Sequence, residues 1–433
     1  MSSVLSQSVT LPCGALVKNR LAKAAMTEGL ANPAGEATEE LERIYGLWSD
    51  GGAGILISGN IAIDGDHLER PGNVVIDREL SEAPMAALQR WCAAATRNGN
   101  HFWAQLSHAG RQTQKIVNPH PKAPSAVALN LPGGQFGQPV PLSLGEIEKL
   151  QDRYVVAAKV CKQAGFTGVQ IHAAHGYLLS QFLSPLSNRR DDRYGGSLEN
   201  RARLLLEIVA KVREALGSEF PISVKLNSAD FQRGGFDFED SLQVAQWLQE
   251  AGIDCLEISG GTYEQPKLLG VEGLEEVQQQ SIAESTKARE AYFVDFAKAM
   301  REKINIPLMV TGGLRRRDAM EAAIESGSAD FIGIGRPMCL DTDAPQALLN
   351  GAQELSRYEN DLQLLPDALS FLNRIETIKT LATFSVQYWF YAQIDTMGKT
   401  GKPERGLSVM RGATRVLINQ FKFMKQRKKL LGK

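Results

Sequence analysis

The densest chemical cluster in this sequence is a run of three side chains, His172, His175 and Tyr177, in the stretch HAAHGY. Histidines three apart admit three readings. Two imidazole N–H groups can stabilise an oxyanion with a proton donor beside them, or two ring nitrogens can bind a metal with His108 as a third ligand, or the pair can be hydrogen-bonded structure. A hydrolase-like metal set would need HxH on an early strand and later His and Asp ligands, and that pattern is missing. Lys225, in SVKL, reads as a Schiff-base nucleophile if burial lowers its pKa, as a fixed positive charge beside an electron-accepting cofactor, or as a solvated lysine. Gln105 carries a donor and an acceptor on one amide and suits the edge of a heterocycle. Two glycine turns, Thr311-Gly312-Gly313 and Gly333-Ile334-Gly335-Arg336, let a backbone approach an anion that Arg336 can grip with two parallel hydrogen bonds.

These residues need strands to hold them, and a weak repeat supplies the clue. Four times a glycine-bearing helix end runs into a short apolar strand: GGAGILIS at 51–58, AGFTGVQIH at 164–172, AGIDCLEIS at 251–259 and SGSADFIGIG at 326–335. Strands are expected near 20–26, 53–58, 101–107, 168–172, 221–227, 253–258, 306–311 and 330–334. Helix-period segments lie between most of them. Eight strands alternating with helices over about 330 residues define an α/β fold, a (β/α)8 TIM barrel. Chemistry in such a barrel belongs just past the strand ends, where the residues above fall. A doubly wound dinucleotide domain is not met, because Gly333 and Gly335 lack the third glycine and Pro337 follows.

Composition bounds the rest. The chain has 433 residues, net charge −1, 43% hydrophobic and 22% charged residues, an ordinary globular balance that argues against nucleic acid as a partner. The cancellation hides an asymmetry: residues 405–433 hold nine basic and no acidic side chains, leaving −10 on residues 1–404. The five cysteines are scattered and make no iron–sulfur run, consistent with reduced thiols. Neither a signal peptide nor a membrane span of about 20 apolar residues is evident. The expected location is cytoplasmic.

The run HAAHGYLLSQFLSPLSNRRDDRYGGSLENR at 172–201, with QLSHAGRQ at 105–112, resembles the old yellow enzyme family of FMN-dependent NAD(P)H oxidoreductases, over about residues 10–350. The resemblance implies a barrel holding FMN noncovalently, reduced by NADH or NADPH. By that resemblance Ala24, Ala25, Met26 and Thr27 lie along the flavin, with Asn60 close by and Gln105 on the pyrimidine edge. Lys225 lies by the N1/C2 region, while Gly313, Gly335 and Arg336 hold the phosphate. His172 and His175 bind the carbonyl oxygen of an α,β-unsaturated substrate, hydride passes from flavin N5 to the β-carbon, and Tyr177 protonates the α-carbon. Neither a metal nor an iron–sulfur cluster is expected. The sequence departs from the family at Lys225, where many relatives have arginine, at Ala25 for a frequent proline, and at Thr27, where one subgroup has cysteine. Amine oxidation or demethylation and NADH oxidase activity remain open on the same fold. A Lys225 Schiff-base aldolase is the reading without flavin.

Residues 1–352 are expected to form the barrel and 353–433 a C-terminal helical extension with a basic tail. Met410, Ala413, Leu417, Phe421 and Met424 read as a helical seam, docked on the acidic barrel or a second subunit, or resting on an anionic membrane. A homo-oligomer is one expectation for partners, beside the small-molecule substrate. Phe384, Tyr388 and Tyr391 read as core packing of a helix or as a flap over the pocket. Residues 264–289 are long and polar enough for a lid.

Overall fold

The strands of the computed structural model close on themselves. It describes residues 3–129, 131, 134–259, 296–364 and 376–432. Eight parallel strands form the ring: β1 (Leu21–Lys23), β2 (Ile55–Ala62), β3 (His101–Ser107), β4 (Gly168–Ala173), β5 (Ile222–Asn227), β6 (Cys255–Ser259), β7 (Leu308–Thr311) and β8 (Phe331–Ile334). Each pairs with its successor, and β8 returns to β1 through Ile332–Leu21 and Ile334–Lys23. This is the expected (β/α)8 barrel, with strand ends within a few residues of those read from sequence.

The glycine signal has a physical basis. Gly52, Gly165, Gly252 and Gly327 all adopt left-handed φ, between 72° and 101°, three or four residues before β2, β4, β6 and β8. A side chain is strained there, so the sequence marks where each helix stops and the chain turns inward. The helix before β4, Leu144–Ala164, is closed at its other end by a capping box between Ser143 and Glu146. Helices α1 (Leu198–Leu216) and α2 (Phe238–Glu250) cover the outside after β4 and β5.

Strand residues are buried on both faces, as parallel sheets require. Adjacent register then sets side chains in layers: Asn60 lies opposite Gln105 and Gln105 opposite Gln170, while Lys225 lies between His172 and Glu257.

Beyond the barrel, helices Glu376–Thr400 and Val409–Leu430 pack against each other, and the first of them packs against the Glu39–Asp50 helix. Trp389 donates to the Leu407 carbonyl at 2.6 Å, and Gln393 exchanges hydrogen bonds with the Glu404 backbone at 2.8 and 2.9 Å. The seam read from sequence is half right. Ala413 and Met424 are buried with Val409, Val416, Gln420 and Arg427, but Met410, Leu417 and Phe421 face outward. The buried stripe is rotated from the expected one because Arg427 turns inward to cap two loop carbonyls. The proposed lid at 264–289 lies outside the described residues.

Candidate active site

The C-terminal end of β4 delivers His172 and, after a tight loop, His175 and Tyr177. The imidazole centroids stand 5.1 Å apart, and the Tyr177 ring meets His172 edge-on at 4.8 Å. The Ala174 N–H donates to His172 Nδ1 at 3.1 Å, so the proton of His172 sits on Nε2. His175 has φ of 61°, a left-handed conformation rare for residues other than glycine. Its N–H donates to Asn227 Oδ1 at 2.9 Å and its carbonyl accepts from Gln112 at 3.0 Å, which hold the conformation in place. His175 Nε2 lies 2.8 Å from Ser259 Oγ, a partner that sequence reading did not anticipate.

Burial, reinforced for His172 by His175 and Lys225 and for His175 by Lys225, holds both imidazoles well below the usual histidine pKa. They are neutral donors at physiological pH. Two consequences follow for pH dependence. Substrate-reduction rates should show no ionisation near pH 6.5, a result that stopped-flow traces from pH 8 down to 6 will check. Stability behaves differently, because the unfolded chain takes protons below its normal histidine pKa that these sites refuse. Unfolding free energy should therefore be fully present above about pH 6.5 and decline as pH falls through that value.

His108 does not join this pair. It stacks on His67 at 4.3 Å, and together with Asp64 these form a compact group. The Lys122 N–H occupies His67 Nε2 and the Gly110 N–H occupies His108 Nδ1. The remaining N–H groups face Asp64, which also takes the Arg153 guanidinium. No imidazole lone pair is left to ligate a metal there.

Lys225 is buried, with its ammonium 2.9 Å from Glu257 Oε1, a charge contact rather than an aligned hydrogen bond. The other oxygen of Glu257 accepts from Gln170 at 2.8 Å, and Gln170 accepts from Gln105 at 2.7 Å. One chain of contacts thus runs from lysine to Gln105 across four strands. The solvated-lysine reading is overturned by this burial. Glu257 and Gln170 escaped sequence reading, since inside a strand each looks like an isolated polar residue; only barrel register shows that they meet.

On the opposite side, β2 bulges between Ile57 and Asn60. Gly59 is required at the bulge, because a Cβ there would stand 2.5 Å from the Met26 carbonyl oxygen and still nearer to Glu28. Asn60 donates to Thr27 Oγ1 at 3.2 Å, and Thr27 donates to buried Glu69 at 2.9 Å. Ala24 is tied to the Ile334 carbonyl at 2.9 Å, which fixes the 24–27 run at the barrel end, where Met26 touches Cys339. The extension reaches this side: the Tyr391 ring lies 3.8 Å from the Arg70 guanidinium, one residue from Glu69. Tyr388 and Tyr391 pack against the main hydrophobic core, as the core-packing reading expects, and Tyr391 adds the Arg70 contact.

At β7 and β8 the glycine turns are present, with Gly313 at φ 73° and open space around Gly335. Arg336 approaches Glu359 at 3.3 Å, and a second arginine absent from the sequence reading, Arg315, approaches the same oxygen at 3.1 Å. Burial, with the Arg336 charge beside it, pushes Arg315 down to about 10. Two cations meet one carboxylate, and the buried Thr311 hydroxyl between the strands has no partner among the described residues. Two guanidinium groups, the Thr311 hydroxyl and open glycine backbone fit a phosphate group.

The barrel fold and the side chains gathered at its strand ends are compatible with an oxidoreductase that holds a phosphate-bearing cofactor. The chain belongs to the NADH:flavin oxidoreductase / NADH oxidase family, whose sequence profile matches residues 13–354. It is 32% identical over 416 residues, 92% of this chain and 99% of the relative, to an NADH-dependent flavin oxidoreductase of Talaromyces variabilis. Among solved structures it is similar to the old yellow enzyme homologue from Zymomonas mobilis, with a TM-score of 0.67 and 27% identity over 84% of this chain and 97% of that one. Morphinone reductase is comparable, with a TM-score of 0.64 and 26% identity over 82% and 92%. The protein is therefore an FMN-dependent NAD(P)H oxidoreductase.

Proposed function

We propose that this enzyme reduces the activated carbon–carbon double bond of an α,β-unsaturated carbonyl compound. The observation that carries this reading is the neutral His172–His175 pair with the Tyr177 ring against it, at one strand end. His172 Nε2–H and one N–H of His175 would donate to the carbonyl oxygen as negative charge gathers there, and the Tyr177 hydroxyl would give its proton to the α-carbon. His175 would exchange its Ser259 contact for the substrate. FMN, when bound, supplies the hydride that it has taken from NADH or NADPH.

The 24–27 run and Asn60 would lie along the flavin ring. Gln105, with one amide N–H committed to Gln170, would present its carbonyl oxygen to the pyrimidine edge. Lys225 would sit by N1 and C2, and Gly313, Gly335 and Arg336 would hold the phosphate, joined by Arg315. Arg336→Ala should weaken FMN binding roughly 10- to 150-fold, the factor for losing a charged hydrogen-bonded contact of about 1.5–3 kcal/mol. Fluorescence titration of the FMN-free protein measures it.

The decisive experiment is anaerobic reduction of the holoprotein by each nicotinamide, then reoxidation with a panel of enones, enoates and tertiary amines. Rapid reoxidation by enones supports the proposal. Reoxidation only by oxygen, or flavin reduction by amines instead, would replace it with an oxidase or a dehydrogenase.

A further inference from the structure

The Val409–Leu430 helix has one face that the barrel does not use. Its inner side is pinned by Arg427, which donates to the carbonyls of Pro33 at 2.8 Å and Gly65 at 3.0 Å, in the loops that follow β1 and β2. Its outer side carries Met410, Leu417 and Phe421 at i, i+7 and i+11, exposed by 55%, 50% and 71%, with Ile418 beside them at 48%. Nine large apolar residues are exposed in the described structure, and six of them fall between 410 and 431. That concentration is a patch rather than ordinary scatter.

The next row round the helix holds Arg411, Arg415, Lys422, Lys425 and Lys429, at i, i+4, i+11, i+14 and i+18. Of these, only Arg415 has an ion-pair partner among the described residues, Glu404 at 2.8 Å. No carboxylate occurs from 405 to the end of the sequence. An apolar row flanked along its length by cations, four of the five without an ion-pair partner among the described residues, suits an interface whose charges are all negative and whose interior is hydrocarbon.

We propose that this face docks on an anionic lipid surface. The helix would lie in the interface plane, with Phe421 and Leu417 among the acyl chains and the lysines at the phosphates. The other fit would be a second copy of the chain, since α1 and α2 form a groove of about 490 Å³ floored by Leu206 and Trp247 and edged by Glu199 and Glu250. That groove follows β4 and β5, three strands round the barrel from the loops that pin the helix. A contact between patches so placed would be head-to-tail, closing as a ring or running on as an open chain. A lipid surface needs no reciprocal site, and the acidic remainder of the molecule, at −10, would be repelled from it. Docking would hold the barrel end that carries the active site close to the bilayer.

The test is co-sedimentation of the full-length holoprotein with phosphatidylcholine vesicles, with and without phosphatidylserine. The serine lipid should raise the bound fraction roughly ten-fold or more at low salt, and high salt should remove most of the gain. Phe421→Asp and Leu417→Asp, both at exposed positions, should abolish binding while FMN content and NADH oxidation stay unchanged. Equal binding of wild type and F421D to anionic vesicles overturns the proposal. So does failure of the wild type to bind them. Sedimentation velocity supplies a separate check: wild-type mass that grows with concentration and collapses to monomer in F421D assigns the face to a second copy instead.

Discussion

Replacing Tyr177 by phenylalanine should slow reduction of an enone by about 10²–10⁴-fold and leave reduction of the flavin by NAD(P)H within about two-fold. The substitution keeps the ring, which is 5% exposed and packed edge-on against His172, and removes only the hydroxyl. The fold around it has other supports: Tyr177 N–H is tied to the Ala174 carbonyl, and the following Leu178–Leu183 helix is anchored by Leu178 N–H on the His108 carbonyl at 2.9 Å. The loss should therefore be confined to proton delivery. Single-turnover stopped-flow of the two half-reactions separates the cases, because equal slowing of both would make the tyrosine a structural residue. The neutral histidines sharpen the expectation. With no imidazolium beside the substrate, its α-carbon has no acid from the pair to fall back on.

Much of this was legible in the sequence because it is written in backbone punctuation. A glycine in the left-handed region ends a helix whether or not the barrel has formed, so Gly52, Gly165, Gly252 and Gly327 announce strands locally. The residues at the end of each strand and just past it are equally local, which is why His172, His175, Tyr177, Lys225 and Arg336 could be named before the fold was known. What could not be read depends on register between strands far apart in sequence. Glu257 meets Lys225 only because β5 and β6 pair residue for residue, and Gln170 reaches both Gln105 and Glu257 only because β4 lies between. Arg315 was within reach, two residues past Gly313, but its convergence with Arg336 depends on Glu359, which arrives after β8 from 23 residues beyond Arg336. The extension shows the same limit: its amphipathic period was visible, yet which stripe is buried is decided by Arg427 and the two carbonyls it finds.

That hidden pair gives the second large effect. Glu257→Gln should destabilise the FMN-free protein by about 3–5 kcal/mol, since it leaves the Lys225 ammonium buried beside an amide that cannot balance its charge. Lys225 and Glu257 are 3% and 0% exposed, so water does not screen the loss. The same substitution should act on the cofactor with a defined sign. Glu257 offsets the charge of Lys225; if Lys225 lies by the flavin as proposed, removing Glu257 leaves a fuller positive charge there, which favours the electron-rich reduced state. The midpoint potential should rise, on the order of 30 mV for each 1.4 kcal/mol of that preference. A carboxylate that merely filled space would cost stability and leave the potential where it was. The double variant Lys225→Met, Glu257→Gln separates the two roles. Removing both charges eliminates the unpaired ammonium and should recover most of the lost stability, because a buried ion pair is often replaceable by uncharged groups of similar size and the amide oxygen introduced at position 257 can still accept from Gln170. Its potential should nonetheless fall below that of Glu257→Gln, because the cation that favoured reduction has gone. Recovery of stability together with a potential that stays high would show that the lysine does not act on the flavin, and that the pair serves only to join β5 to β6.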